Sequence, residues 1–412
     1  MDSSSTPQWA SLRSDLLFVI AKCLDTCVDL LHFRAVCYSW RASIPLPPKI
    51  PSPHPSLKLP FPIFTNLPFN RNSRGHFVLT ESTIYSFQPL TSISNTTDTW
   101  LVKAEELKSG EVILKDTLSP FPSLCLMEGF PQVLNLLDYR ISEIGNAYGL
   151  EFLKHGKTSF NRVLTKSDNI KSIFMKKVVV SSSFFKIGDD GLAVMALDMD
   201  GNVGVWKMGD EKWTNINDAR ERSYYVDIIF YNRKFYALDV SGLTVTVDPK
   251  NFQIKEIVHG YPSFGFGADR FMYLVESFDD LFRVDKYDFL GGDSPYEHSC
   301  DFDVTHPIIF LIYRLNEENH EWVKVDGLED RVLFLGADSS FSVLANDFPG
   351  CKRNCVYFVD GSFLEDYDEH PPYGFFVFKS HAAMRLSKFP SYSKIFYPPP
   401  TWLKTNPTLS QR

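Results

Sequence analysis

Residues 192–213 read LAVMALDMDGNVGVWKMGDEKW, and this stretch decides the fold. Leu192 to Leu197 is an apolar run, Asp198-Met199-Asp200-Gly201-Asn202 is rich in turn formers, and Val203-Gly204-Val205-Trp206 resumes the run. Gly209-Asp210-Glu211 turns again before Trp213. Short apolar runs punctuated by Gly, Asp and Asn read as strands joined by hairpin-type turns.

The same grammar continues downstream. Val226 to Tyr231, a polar tip at Asn232-Arg233-Lys234, Phe235 to Leu238, Ser241-Gly242 and Leu243 to Val247 give further short strands. A second unit follows: Arg270 to Glu276, a turn at Phe278-Asp279-Asp280, then Leu281 to Val284. Ile308 to Leu315 and Trp322 to Val325 flank Glu317-Glu318-Asn319, and Arg331 to Leu335 leads into Phe341 to Leu344. Two pieces match one another. In 205–213 and in 312–322, a strand with a basic residue passes a polar turn and returns through a Trp. Radially repeated four-stranded blades bury their faces only against neighbouring blades, which produces a degenerate repeat of roughly 40 to 50 residues. The expected fold class is mainly β with a small all-α N-terminal module, the helices preceding a β-propeller-like domain of undetermined blade number. A pair of β-sandwiches has the same strand density and stays open as an alternative.

Composition agrees with strands. Aromatics make up 15% of the 412 residues, with 35 Phe and 18 Tyr, and such side chains pack well on a pleated surface. Hydrophobic residues at 44% and charged residues at 22% are the balance of a globular chain able to bury a sizeable core. The formal net charge of −8, with no long basic block and with Lys176-Lys177 and Lys352-Arg353 as pairs and not patches, makes nucleic acid a poor partner. Seven irregularly spaced cysteines (23, 27, 37, 125, 300, 351 and 355) argue for a reducing compartment. Leu16 to Ala21, bounded by Asp15 and Lys22, lacks a basic n-region and a cleavage site, and no apolar run reaches the length of a membrane span. The expectation is nucleus and/or cytoplasm, no membrane and no nucleic acid.

The N-terminus follows a different period. Leu12, Leu16, Ile20 and Leu24 recur every four residues on one helical stripe. Thr26-Cys27-Val28-Asp29 has capping-box form, and Leu30, Phe33, Cys37 and Trp40 keep helical spacing behind it. Two or three short helices over about 35 residues are too few for an independent core, so this piece should borrow surface from a partner. Eight prolines between Pro45 and Pro62 form an extended, fairly stiff spacer.

At these residues the chain resembles a known family. Leu12-Arg13-Ser14-Asp15-Leu16-Leu17-Phe18-Val19-Ile20, then Leu24, resembles the first half of an F-box, and Leu30 to Arg41 the second, through Phe33-Arg34-Ala35-Val36-Cys37 and Trp40-Arg41. Arg13 stands where that family usually has Pro, a departure that softens the expected helix start. Further on, Tyr273 to Ser277, Asp280 to Val284, Cys355 to Asp360, Phe375 to Phe378 and the tail Ile395 to Trp402 resemble plant proteins in which an F-box precedes a KIB-type β-propeller. The resemblance implies residues 7–44 as F-box, 45–62 as Pro-rich linker, 63–402 as substrate-recognition propeller and 403–412 as tail. It implies a non-catalytic subunit of a Skp–cullin–F-box (SCF) ubiquitin ligase that holds a Skp-type adaptor and, through it, cullin and RING subunits. The adaptor-binding residues it implies are Leu12, Asp15, Leu16, Leu17, Ile20, Leu24, Leu30, Phe33, Arg34, Val36, Cys37, Trp40 and Arg41. The target protein and its contact residues are left open.

Other chemistry is weakly supported. Asp198 to Asn202 has an Asp-x-Asp-Gly flavour, but the twelfth position of a calcium loop would be Gly209, which favours a hairpin turn. Cys351 and Cys355 lack a second ligand pair at zinc spacing. The acidic run Asp366 to His370 reads as a solvated loop, and Asn95-Thr96-Thr97 as an accidental glycosylation match. No phosphate loop, nucleophile elbow or metalloprotease motif is present. No catalytic residue, metal or cofactor is expected. A propeller enzyme or small-molecule binder with incidental N-terminal helices is the alternative.

Overall fold

The computed structural model describes residues 9–22, 24, 27–44, 57–60, 75–90, 99–108, 111–120, 139–154, 175–181, 191–216, 223–260, 269–288, 308–359, 373–380, 382–389, 392 and 395–396. Thr26, the prolines from Pro45 to Pro55, Asn95 to Thr97, Asp366 to His370 and the tail beyond Phe396 lie outside them, as do Cys23, Cys125 and Cys300.

Three helices open the chain: α1 (Ser14–Lys22), α2 (Cys27–Ala35) and α3 (Tyr38–Ser43). The break between the last two falls at Val36-Cys37, where Cys37 is extended (φ −163°) and starts α3. Strands follow in five units. The first holds β1 (Lys58–Leu59), β2 (Gly75–Pro89), β3 (Trp100–Lys108), β4 (Glu111–Lys115) and β5 (Tyr139–Lys154). The second holds β6 (Met175–Val180), β7 (Ala193–Asp198), β8 (Val203–Lys207) and β9 (Thr214–Asn215). The third is β10 (Tyr225–Tyr231), β11 (Lys234–Asp239), β12 (Thr244–Val247) and β13 (Ile254–Val258). The fourth is β14 (Asp269–Ser277), β15 (Asp280–Asp288), β16 (Ile308–Asn316) and β17 (Glu321–Val325). The fifth is β18 (Arg331–Leu335), β19 (Ser340–Leu344), β20 (Cys355–Val359), β21 (Tyr373–Val377) and β22 (Ala382–Arg385).

Within the third and fourth units every neighbour is sequential and antiparallel, as hairpin turns require. The first and second units are joined into one sheet by a single residue pair, Tyr148 with Val178. The fifth differs: β18 and β20 run parallel, so a non-sequential strand enters beside the β18–β19 hairpin.

The units close on themselves. Phe77 and Leu79 of the first pack with Val194 and Trp206 of the second, and Met195 and Val205 of the second with Ile228 and Phe235 of the third. Tyr236 and Leu238 of the third pack with Met272 and Leu274 of the fourth, and Val284 and Phe310 of the fourth with Leu333 and Phe358 of the fifth. The fifth then returns to the first, Phe334 and Tyr357 clustering with Ile84, Leu101 and Leu118. Each face is thus buried by its neighbour around a ring, which two sandwiches would not do; the propeller expectation holds.

Polar links reinforce the junctions. Lys177 Nζ meets Asp227 Oδ1 at 2.8 Å between the second and third units, and the other oxygen of Asp227 accepts from Leu274 N–H of the fourth at 2.6 Å. Ser277 and Ser342 hydroxyls lie 2.7 Å apart across the next junction. At the seam, fully buried Lys103 of the first unit meets Asp338 of the fifth at 2.5 Å. Burial pushes the Lys103 ammonium pKa down despite that carboxylate.

The two matching tryptophans share one job. Trp213 Nε1 donates to the Pro60 carbonyl at 2.9 Å, and Trp322 Nε1 to Thr244 Oγ1 at 2.9 Å, each reaching from its own unit to the preceding one. A second repeat escaped the sequence reading. Ala196-Leu197-Asp198-x-x-Gly201 recurs as Ala237-Leu238-Asp239-x-x-Gly242. In both, a buried Asp accepts backbone N–H groups of its own turn: Asp200 and Asn202 for Asp198, Ser241 and Leu243 for Asp239. Both glycines have positive φ (77° and 88°), and a Cβ at Gly201 would strike the Tyr224 ring. Asp198 is therefore occupied as a turn clamp, in agreement with the hairpin reading.

Candidate functional site: the exposed face of the helical module

The helical module has a very small core. Leu17, Leu30, Phe33 and Ile44 are its buried side chains among the described residues, with Leu12, Ala21, Leu24 and Trp40 packed partly against them. Phe33 and Trp40 lie 4.5 Å apart between ring centroids, and Trp40 Nε1 donates to the Trp9 carbonyl at 3.0 Å. This holds α3 against α2 and the incoming chain together.

The two arginines also act inside the module. Arg34 donates from Nη1 to the carbonyls of Arg41 (3.0 Å) and Ile44, and Arg41 Nε donates back to the Arg34 carbonyl at 3.3 Å. They staple α2 to the last turn of α3, satisfying carbonyls that a helix end leaves open. Cys37 sits at the α2–α3 break with its sulfur 3.0 Å from Ser39 Oγ. Arg13, in the place of the family's Pro, clasps Asp15 with both donors (3.1 and 2.8 Å), and its carbonyl accepts from Leu17 N–H. Helix α1 starts at Ser14 without the proline. The Arg13–Asp15 pair is open to solvent and contributes little to stability.

The stripe read from the sequence divides in space. Leu12 and Leu24 lie outside α1 and pack inward, and the residue of α1 that fills the core is Leu17. Leu16 and Ile20 face outward, 49% and 36% exposed. They are joined outside by Phe18, Val19, Leu31, Val36 and Tyr38, which are exposed as well. Of these, only Val36 was singled out from the sequence. A usable signal was present in the unbroken apolar run Leu16 to Ile20: a nine-residue helix cannot turn five successive apolar side chains towards one small core. So much exposed apolar surface on a short module marks an interaction site. Helix α2 lies against β5, so this surface is carried on the first unit of the ring.

Comparison with known proteins agrees with both halves. Residues 76–379 match the family model described as KIB1-4 beta-propeller. F-box protein SKIP23 of Arabidopsis thaliana is 31% identical, over 97% of this chain and 96% of its own length. The chain belongs to the KIB1-4 beta-propeller family of plant F-box proteins. F-box protein At2g17036 of the same plant is 28% identical over 97% of this chain and 95% of its own. The WD40 domain of SCAP from fission yeast aligns with 74% of this chain and 64% of its own at 11% identity and a TM-score of 0.21, too loose to bear on the site.

The sites set aside in the sequence have local explanations in this KIB1-4 chain. Cys351 and Cys355 are free thiols whose pKa values burial pushes up, that of Cys355 to about 12, so neither is a ready thiolate. Arg353 reaches Asp330 at 3.7 Å, and the Lys352 ammonium lies 5.6 Å from the Tyr392 ring. Among the described residues no group of three His, Cys, Asp or Glu could hold a metal ion, and no helix is long and apolar enough to cross a membrane.

Proposed function

We propose that this chain is the substrate-recognition subunit of an SCF-type ubiquitin ligase. Residues 7–44 serve as the F-box that binds a Skp-type adaptor, and 63–402 form the ring that holds a target protein, with 45–62 as spacer. The observation that carries the reading is the outward apolar face of the helical module: Leu16, Val19, Ile20, Leu31 and Val36 stay exposed while only a handful of side chains fill its core. Burying that face on a partner recovers the hydrophobic gain that the module cannot make alone.

The chain itself performs no chemistry in this reading. It works by proximity: a lysine of the held target experiences a raised effective concentration of the charged ubiquitin carrier. Leu16, Ile20 and Val36 make the contact. Leu17, Leu30, Phe33 and Trp40 hold the helices in register, and Arg34 and Arg41 staple the last two.

The test is co-purification of the full chain with a Skp-type adaptor. Leu16→Asp with Ile20→Asp replaces exposed side chains, so the module should keep its helicity and lose adaptor affinity by more than about a hundredfold. Undiminished adaptor capture by that double variant overturns the assignment.

A further inference from the structure

Three hairpin tips meet on one face of the ring where the third and fourth units join. They are Asn232-Arg233 between β10 and β11, Phe278-Asp279 between β14 and β15, and the β16–β17 turn that begins at Glu317. Between them opens a groove of about 490 Å³. Its lining combines apolar side chains, Leu281, Leu315 and the exposed Val323, with the carboxylates Asp279, Asp280, Glu317 and Glu318 and one cation, Arg314.

The charges do not cancel. Asp280 is answered by Arg331 at 2.7 Å and by Arg314 at 3.9 Å. Among the described residues, Asp279, Glu317 and Glu318 meet no cation. Glu317 accepts the Tyr236 hydroxyl at 2.7 Å, and the Tyr231 hydroxyl donates to the Asp279 carbonyl at 2.6 Å, so the two phenols fix the walls. Burial first, and then the Glu317 carboxylate, push both phenols up in pKa, which keeps them donors. Arg233 and Lys234 are exposed on the adjoining tip but are not part of the lining.

Phe278 stands beside this groove. It is 55% exposed and holds a φ of 57°, as the first central residue of a two-residue turn in which glycine is the natural occupant. A bulky aromatic in that conformation is strained, and being exposed it returns little packing within the chain. Such an outlier calls for an external reason.

We infer that the groove receives a basic segment of the target protein, with Lys or Arg side chains over Asp279, Glu317 and Glu318 and an apolar side chain against Phe278 and Val323. This inference rests on the ring being the target-binding half of the molecule. Charge complementarity selects the occupant: an acidic segment would meet three uncompensated carboxylates, whereas a basic one neutralises them. Repulsion from Arg233 and Lys234 directs the basic end towards Glu317 and Glu318.

The experiment uses the full chain with its adaptor and two fluorescent peptides of equal length, one of Lys and Phe and one of Glu and Phe, read by anisotropy. The Lys peptide should bind and the Glu peptide should not, with binding weakening as salt is raised. Asp279→Asn with Glu318→Gln should weaken the Lys peptide about tenfold, chiefly in the association rate. Phe278→Gly should weaken it about fivefold while thermal stability stays level or rises, since the strained turn relaxes. Equal binding of the two peptides, or unchanged affinity in both variants, overturns the inference. Selective peptide binding by a chain that fails to capture the adaptor supports the groove and refutes the ligase reading alone.

Discussion

The helical module and the ring solve the burial problem in opposite ways. In the ring, each unit lends its face to the next, so side chains as large as Phe334, Tyr357 and Phe358 are fully covered. In the module, helix α1 covers Leu17 and leaves Leu16, Phe18, Val19 and Ile20 at the surface. A closed circuit completes itself. A short helical piece at its margin leaves apolar side chains uncovered, and its exposed face is informative for that reason.

The contrast can be broken most forcefully at the seam. Asp338→Ala strands the buried Lys103 ammonium, at a cost of about 3–5 kcal/mol, because a buried charge loses its carboxylate and keeps the Ser119 carbonyl alone as its hydrogen-bond partner among the described residues. Denaturant titration followed by tryptophan fluorescence should show it. Lys103→Met with Asp338→Leu should restore most of the loss, and full stability in the single variant would mean that the seam is not a closing contact.

Phe33→Ala tests the other side. It removes a ring packed against Trp40 from a core of very few members, at about 3 kcal/mol. The loss should stay local: hydrogen exchange should quicken in α1 to α3 while β10 to β17 keep their protection. Equal loss of protection in both regions would show that they fold as one unit.

A smaller effect lies within the first unit. Burial, with Glu143 nearby, raises the Glu81 carboxyl pKa to about 6, although the Tyr148 hydroxyl bonded to it at 2.9 Å pulls the other way. The folded chain therefore favours the protonated form. That contribution is present below about pH 4.5 and is lost as pH rises through about 6, on the order of 1–2 kcal/mol. Glu81→Gln should flatten the melting temperature over that window. An unchanged slope would assign the pH dependence elsewhere.

Much of this was legible in the sequence, and the gaps have physical causes. Sequential hairpins such as β10–β11 and β14–β15 announce themselves because turn and strands are adjacent in the chain. The parallel pairing of β18 with β20 does not, since the partners are separated by the intervening strand β19. The residues that resemble an F-box were read as a set, and their division into inward and outward faces was not. A stripe at every fourth residue picked Leu16 and Ile20 together with Leu12 and Leu24, which leave the helix and turn inward. Lys103, Asp227 and Asp338 were invisible because ordinary surface charges and buried junction charges look alike in one dimension. The paired Ala-Leu-Asp-x-x-Gly segments were readable, and a search for exact recurrence would have found them.

The order of the units around the ring has a consequence for reach. The helices rest on β5 of the first unit, and in a closed circle of five the junction of the third and fourth lies diametrically across from it. On the two proposals made above, a protein seated in the groove would hang from the far rim, opposite the helices proposed to bind the adaptor. The ring then acts as a rigid crane arm. Under the proposed function it would set which lysines of the cargo swing within range of ubiquitin transfer, and a bulky cargo would gain room that a near-side seat would deny it.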